Sequence, residues 1–222
     1  MPIEDELAKR RATVNERLPE ADRKVIEGTI EELRVRQVAE HSLAAGETLP
    51  DFALPDAAGR VVTSDELLDR GPLVLAFFRG GWCPYCDVAL RGLELARPAL
   101  EDLGAALVGV SPLRGEELQR LAGEKGLRFT LLSDPDGRFA QLCGVRYEIR
   151  DEHVGFYRRH GIDLPTLHAG ADWRLPIPAT YVVGPDGVIR YAFADPDWTR
   201  RAEPEELVAV VKGQLQAAPA SG

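Results

Sequence analysis

Arg79-Gly80-Gly81-Trp82-Cys83-Pro84-Tyr85-Cys86 is the stretch on which the reading of this chain turns. Before it, Leu73–Phe78 is an uninterrupted apolar run, the pattern of a strand buried on both faces. After it, residues 84–103 carry Ala89, Leu90, Leu93, Ala96, Leu100 and Leu103 on one helical stripe. The two cysteines therefore sit where a helix leaves the end of a buried strand. Cys83 falls at or near the helix N-cap, where unpaired backbone N–H groups and the positive end of the dipole favour an anion. Pro84 suits the first helical turn. Cys86, three residues on, shares that face one turn deeper. Arg79 adds a positive charge nearby. A thiol with a pKa of about 8.5 is about 3% ionised at pH 7, against about 75% for one at about 6.5. The local pattern predicts an exposed, acidified Cys83 as the attacking sulfur. Cys86 is then the resolving sulfur, closing an intramolecular disulfide.

Working outward, short apolar runs alternate with helical patterns. Ala105–Val110 reads as a second buried strand, 116–125 as a helix and Phe129–Leu132 as a strand. Pro135 opens a short helix to about Leu142. Thr180–Val183 and Val188–Phe193 flank Gly184-Pro185-Asp186-Gly187, a hairpin signal, and Pro204 starts a last helix. The order gives an α/β fold, a mixed central sheet flanked by helices. Residues 144–177 have weak periodicity and read as an irregular insertion with one short helix. Residues 1–46 differ in texture, with ten acidic and eight basic side chains. Leu7, Val14 and Leu18 suggest one helical face, and Ile26, Ile30, Leu33 and Gln37 a second, divided at Pro19. We read an N-terminal helical arm over 1–46, packed on a domain over 47–216, with a disordered tail at 217–222. The sharper alternative makes the arm a dimerisation element.

Composition narrows the function classes. The 222 residues are 45% hydrophobic and 28% charged, as in ordinary globular proteins. The longest uncharged stretches, Leu103–Leu113 and Leu175–Pro185, are far shorter than the about 20 apolar residues a membrane helix needs. The acidic start lacks the apolar core of a secretory signal, so a cytoplasmic location is expected. A net charge of −9 and the lack of a basic cluster argue against nucleic acids and anionic membranes as partners. The three cysteines, with one close pair, point to a reducing compartment and to redox chemistry at that pair. Zinc is not expected: Cys143 is the only other cysteine, and His41, His153, His160 and His168 show no ligand pairing. No cofactor is implied.

Trp82-Cys83-Pro84-Tyr85-Cys86 resembles the active site of the thioredoxin fold. Leu49-Pro50-Asp51-Phe52, Gly71-Pro72-Leu73-Val74, Gly109-Val110-Ser111-Pro112 and Leu132-Ser133-Asp134-Pro135 are similar to the alkyl hydroperoxide reductase/thiol-specific antioxidant (AhpC/TSA) family, the peroxiredoxins and their relatives. The resemblance covers about residues 47–215. It implies a thioredoxin-like fold and a Cys83 that attacks hydroperoxides. It also implies re-reduction by thioredoxin or a glutaredoxin- or glutathione-type thiol donor, and a homodimer as one possible assembly. Ile177-Pro178-Ala179-Thr180 resembles the segment where thioredoxin-like proteins hold a cis-proline beside the CxxC, so Pro178 is expected cis, with Thr180 close by. The pattern departs from the family at three places. Gly80 stands where a Thr or Ser usually precedes the attacking cysteine, Ala76 where a Pro does, and Pro178 where an Arg orients the peroxide. Arg79 is the candidate for that arginine's role, and Trp82 for shaping the substrate surface. Cys143 reads as a small buried residue, with a second resolving cysteine as the alternative.

Two other readings use the same residues. One is a thiol–disulfide oxidoreductase acting on protein or glutathione disulfides. The other is a redox-sensing interaction module, in which the 83–86 disulfide switches the arm or the insertion between partners.

Overall fold

The computed structural model describes residues 2–168 and 173–217. Two helices begin the chain, α1 (Ile3–Arg17) and α2 (Glu20–Val35), divided at Leu18-Pro19. A hairpin follows, β1 (Ala53–Pro55) and β2 (Val61–Thr63), and then the short α3 (Ser64–Leu68), which Thr63 caps by accepting from the Glu66 N–H at 3.2 Å. The central region runs β3 (Leu73–Phe77), α4 (Pro84–Asp102), β4 (Ala106–Ser111), α5 (Gly115–Lys125), β5 (Thr130–Ser133) and α6 (Arg138–Leu142). Between α6 and the final strands lie β6 (Arg146–Glu148), α7 (Asp151–Arg159), α8 (Leu164–Leu167) and β7 (Arg174–Pro176). The chain ends with β8 (Ala179–Val183), β9 (Ile189–Ala194) and α9 (Pro204–Ala217).

The main sheet has the order β5-β4-β3-β8-β9, with β3, β4 and β5 parallel and β8 and β9 antiparallel to their neighbours. β3 lies at its centre, and all five of its residues are buried, which is why its sequence is an unbroken apolar run. This is the mixed α/β sheet that the sequence predicts, with strand limits moved by a residue or so. The β1–β2 hairpin is the exception, since its three-residue strands are too short to show a period.

The arm is part of the fold. Leu7 has no exposed surface and Leu33 only 1%. α1 packs on α4 at Gly92, where a Cβ would stand 2.8 Å from Ile3 Cγ2, so a larger residue there would push the helices apart. The first turn of α1 is capped from the far end of the chain: the Glu203 carboxylate accepts from the N–H groups of Ile3 and Glu4, both at 2.9 Å. Arg11 Nε donates to Thr199 Oγ1 at 3.1 Å. Gln37, expected on the second helical face, lies beyond α2 with φ 54° and is exposed.

The region 144–177 is more regular than expected, holding two short paired strands and two helices. Its pattern is weak because these elements pack on the arm and the centre as much as on each other. Residues 169–172 of it lie outside the described residues. Of the tail expected to be disordered, Ala217 ends α9 and 218–222 lie outside the described residues. Among the described residues no helix is long and apolar enough to cross a membrane.

Candidate active site

β3 delivers the chain to the site. Past its end, the Phe78 N–H still donates to the Val110 carbonyl at 2.9 Å, and the chain then turns through Arg79–Trp82 into α4. Gly80 makes this turn possible. Its φ is +153°, and a Cβ there would stand 2.5 Å from Trp82 Nε1. The Cys83 N–H closes the turn by donating to the Gly80 carbonyl at 3.2 Å. Cys83 is the N-cap of α4 in extended geometry and Pro84 occupies its first turn, as the sequence predicts.

The environment of the cysteines differs from the sequence expectation. Cys83 is 1% exposed and Cys86 is fully buried. Burial pushes the Cys83 thiol well above its ordinary value, and the hydrogen bond and charge it shares with Cys86 push it further. Burial alone would raise Cys86 as well. There it is outweighed by the hydrogen bond from Cys83, the Arg201 guanidinium, the Arg79 main-chain N–H and the Arg79 charge, so Cys86 lies well below the usual thiol range. Arg201 Nη2 stands 3.3 Å from Cys86 Sγ. Of the two thiols Cys86 is the more readily ionised, because Cys83 donates to it and the Arg201 guanidinium stands beside it. Cys83 sits at the helix terminus as anticipated, but burial outweighs the lowering by Arg79 and Arg201.

Arg79 is 3% exposed, and no carboxylate is among its strongest influences within the described residues. Burial works against its charge, yet Tyr147, Tyr157, Cys83 and Cys86 hold it protonated. Its Nη2 donates to the Tyr157 hydroxyl at 2.7 Å, and Nε has no partner. The guanidinium carbon lies 4.3 Å from the ring centre of Trp198 and 4.8 Å from that of Trp82. Two indoles thus flank a buried cation.

Above these residues is a cavity of about 360 Å³. Arg79, Trp82, Cys83 and Pro84 form its floor, so four of the residues singled out in the sequence meet there. Cys86 lies behind Cys83 and is not part of the wall. Pro178 and Thr180 are buried at the start of β8 and do not line it either. The Ile177–Pro178 peptide is trans, contrary to the cis expectation. The Pro178 carbonyl accepts from the Asp195 N–H at 3.2 Å, and Thr180 sits opposite Ala76 of β3. Cys143, fully buried at the end of α6, is outside the cavity, and burial pushes its thiol up. Val14, Leu18 and Ile26 of the arm, Phe156 and Tyr157 of α7, and Trp198 supply the upper walls.

The roof is clamped. Asp22 on α2 takes Arg159 Nη2 at 2.8 Å and His160 Nε2 at 2.9 Å, and Arg159 first, then His160, hold its carboxyl below the usual range. Thr29 Oγ1 meets His153 Nδ1 at 3.0 Å, and Arg150 pairs with Glu32 at 2.8 Å. The arginines of the insertion thus tie the arm down. Sequence reasoning missed Tyr157, Trp198, Arg201 and the arm residues. Arg201 is 115 residues from Cys86, and no local spacing signals such a meeting.

A model of the AhpC/TSA family matches residues 45–192. The chain belongs to the AhpC/TSA family. Peroxiredoxin Bcp of Escherichia coli K12 is 35% identical over 103 residues, covering 46% of this chain and 65% of that protein. The match thus spans just under two thirds of the length of this curated relative. Among solved structures, peroxidoxin BcpB from Mycobacterium tuberculosis covers 77% of this chain and 97% of its own, at 20% identity and a TM-score of 0.61. Enterococcus faecalis AhpC covers 82% and 97%, at 18% identity and a TM-score of 0.61. These similarities establish the thioredoxin-like fold of the AhpC/TSA proteins. The region matched by the AhpC/TSA model holds Arg79, Cys83 and Cys86, whereas Val14, Leu18, Ile26, Trp198 and Arg201 fall outside it.

Proposed function

We propose that this protein is a thiol peroxidase that reduces hydrogen peroxide and organic hydroperoxides through Cys83 and Cys86. The observation that carries this reading is that Cys83, and not Cys86, lines the cavity, beside a buried arginine that pairs with no carboxylate among the described residues. Family membership supports it. A hydroperoxide in the cavity meets Cys83 at the floor. As the Cys83 sulfur attacks the terminal oxygen, its proton passes to the Cys86 thiolate. An S–O bond forms and the O–O bond breaks; sulfur is oxidised to sulfenic acid and the hydroperoxide is reduced. The leaving alkoxide, or hydroxide, takes the proton from Cys86 and departs as alcohol or water. Arg79 stabilises the charge that develops on the parting oxygen, the role usually given to the arginine absent at position 178. Cys86, again a thiolate, attacks the Cys83 sulfur; the S–S bond forms, the S–O bond breaks, and hydroxide leaves, taking a proton from solvent to become water. A thiol donor of the thioredoxin, glutaredoxin or glutathione type returns the dithiol. We place this cycle in the cytoplasm, where a reducing thiol pool is at hand.

The cavity beside Cys83 and Arg79, of small-molecule size, favours the peroxidase over the disulfide oxidoreductase alternative, which would use the same pair. Stopped-flow tryptophan fluorescence of the reduced protein mixed with hydrogen peroxide tests the proposal, because Trp82 adjoins Cys83. The expected trace is fast, is abolished in Cys83→Ser, and stops at sulfenic acid in Cys86→Ser. A rate no greater than that of a free thiol at the same ionised fraction would reject peroxidase function.

A further inference from the structure

The floor of the cavity comes from the family core, but much of its roof does not. Val14, Leu18 and Ile26 line it from α1, the α1–α2 junction and α2, all before residue 45, where the family match begins. All three are half-buried, and they face the same space as Phe156 and Ile162. Val14 and Leu18 stand one helical turn apart, and Ile26 reaches in from the next helix. A cavity of about 360 Å³ is at the lower end of the range for small-molecule sites, and far larger than the ~30 Å³ share of a molecule the size of water. Hydrogen peroxide would leave most of it unfilled. Its walls offer a long apolar surface, and its charged group, Arg79, lies at the Cys83 end. The ligand that fits has an apolar body toward the arm and a polar, charge-developing end at the floor.

We infer that the arm is the selectivity wall of the site: Val14, Leu18 and Ile26 hold the apolar body of an organic hydroperoxide whose O–O group meets Cys83 beside Arg79. The inference rests on the peroxidase reading and assigns the residues, outside the family match, that select among its substrates. Bond changes are those given above, with the alcohol of the apolar body as the product. The clamp of Asp22 on Arg159 and His160 keeps α2 at the height that sets the size of this space.

The test compares cumene hydroperoxide with hydrogen peroxide on the full chain and on the double variant Leu18→Ala/Ile26→Ala. The side chains are half-buried, so the fold tolerates their truncation, and circular dichroism checks it. For cumene hydroperoxide the variant is expected to lose about tenfold in kcat/KM, mainly through KM. For hydrogen peroxide the loss is expected to be several-fold smaller, since it does not reach the arm. A parallel measurement removes turnover: binding of the product alcohol, 2-phenyl-2-propanol, to Cys83→Ser with and without the arm substitutions, by calorimetry. Weaker binding in the arm variant supports the wall. Equal binding, or equal losses for both peroxides, overturns it. If the unsubstituted chain consumes neither peroxide by a Cys83-dependent route, the peroxidase reading fails, and the pattern differs from a failed wall, in which hydrogen peroxide is still turned over.

Discussion

Gly80 stands three residues before Cys83, where the resemblance led us to look for a hydroxyl. The structure shows why one is absent: the backbone adopts a φ that glycine tolerates, and the space beside it is filled by the Trp82 indole. Gly80→Thr is therefore expected to destabilise the protein by about 1–3 kcal/mol and to displace Trp82 rather than to speed peroxide reduction. Urea denaturation and the tryptophan emission spectrum read both effects. Arg201 acts at the other end of the pair. Its guanidinium also donates to the carbonyls of Trp198 and of Arg200, the latter at 2.7 Å, so it is held in place against Cys86. Removing it in Arg201→Ala takes away a cation that favours the thiolate. The ultraviolet thiolate absorbance of the reduced protein should then appear about one pH unit higher, with Arg201→Lys partly restoring the original midpoint. An unchanged midpoint would mean that Cys83 and Arg79 alone fix the charge on Cys86.

The elements differ in how plainly the sequence announces them. β3, β4, β8 and α4 are read correctly because each is buried in a way that leaves a period or a continuous run, as in Leu73–Phe77. β6, α7, α8 and β7 are not, because β6 finds its partner in β7 across α7 and α8, and α7 finds its own in α2 of the arm, and a window along the chain carries no trace of a distant partner. The same reason explains the error at Cys83. A helix N-cap was legible, but what would lie on top of it was not. Pro178 was assigned by resemblance alone, and its trans peptide shows that this strand start is built differently. The contact between α2 and α7 depends on a carboxyl held below its usual range. Its stabilisation is present above the unfolded carboxyl value of about 3.9 and is lost as pH falls through the lower folded value. Hydrogen exchange of α2 should accelerate selectively below about pH 4. Asp22→Asn should bring several-fold faster exchange in α2 at neutral pH, with β3 and β4 unaffected.

Over the whole molecule, arm and domain share one core. Leu7 lies in it without exposure, on a helix packed against α4. Leu7→Ala is expected to cost about 2–5 kcal/mol, lowering the melting temperature by roughly 5–15 °C. The protein should still melt in a single transition, measured by calorimetry; an early separate transition would mean that the arm folds on its own. Glu203 carries a consequence for the order of folding. The carboxylate that completes the first turn of α1 stands 200 and 199 residues along the chain from the N–H groups it accepts. So distant a contact carries a high loop-closure entropy and forms late. Strand β3 and the cysteine turn rest on nearer partners, so the sulfurs are expected to find their places before the arm settles over them.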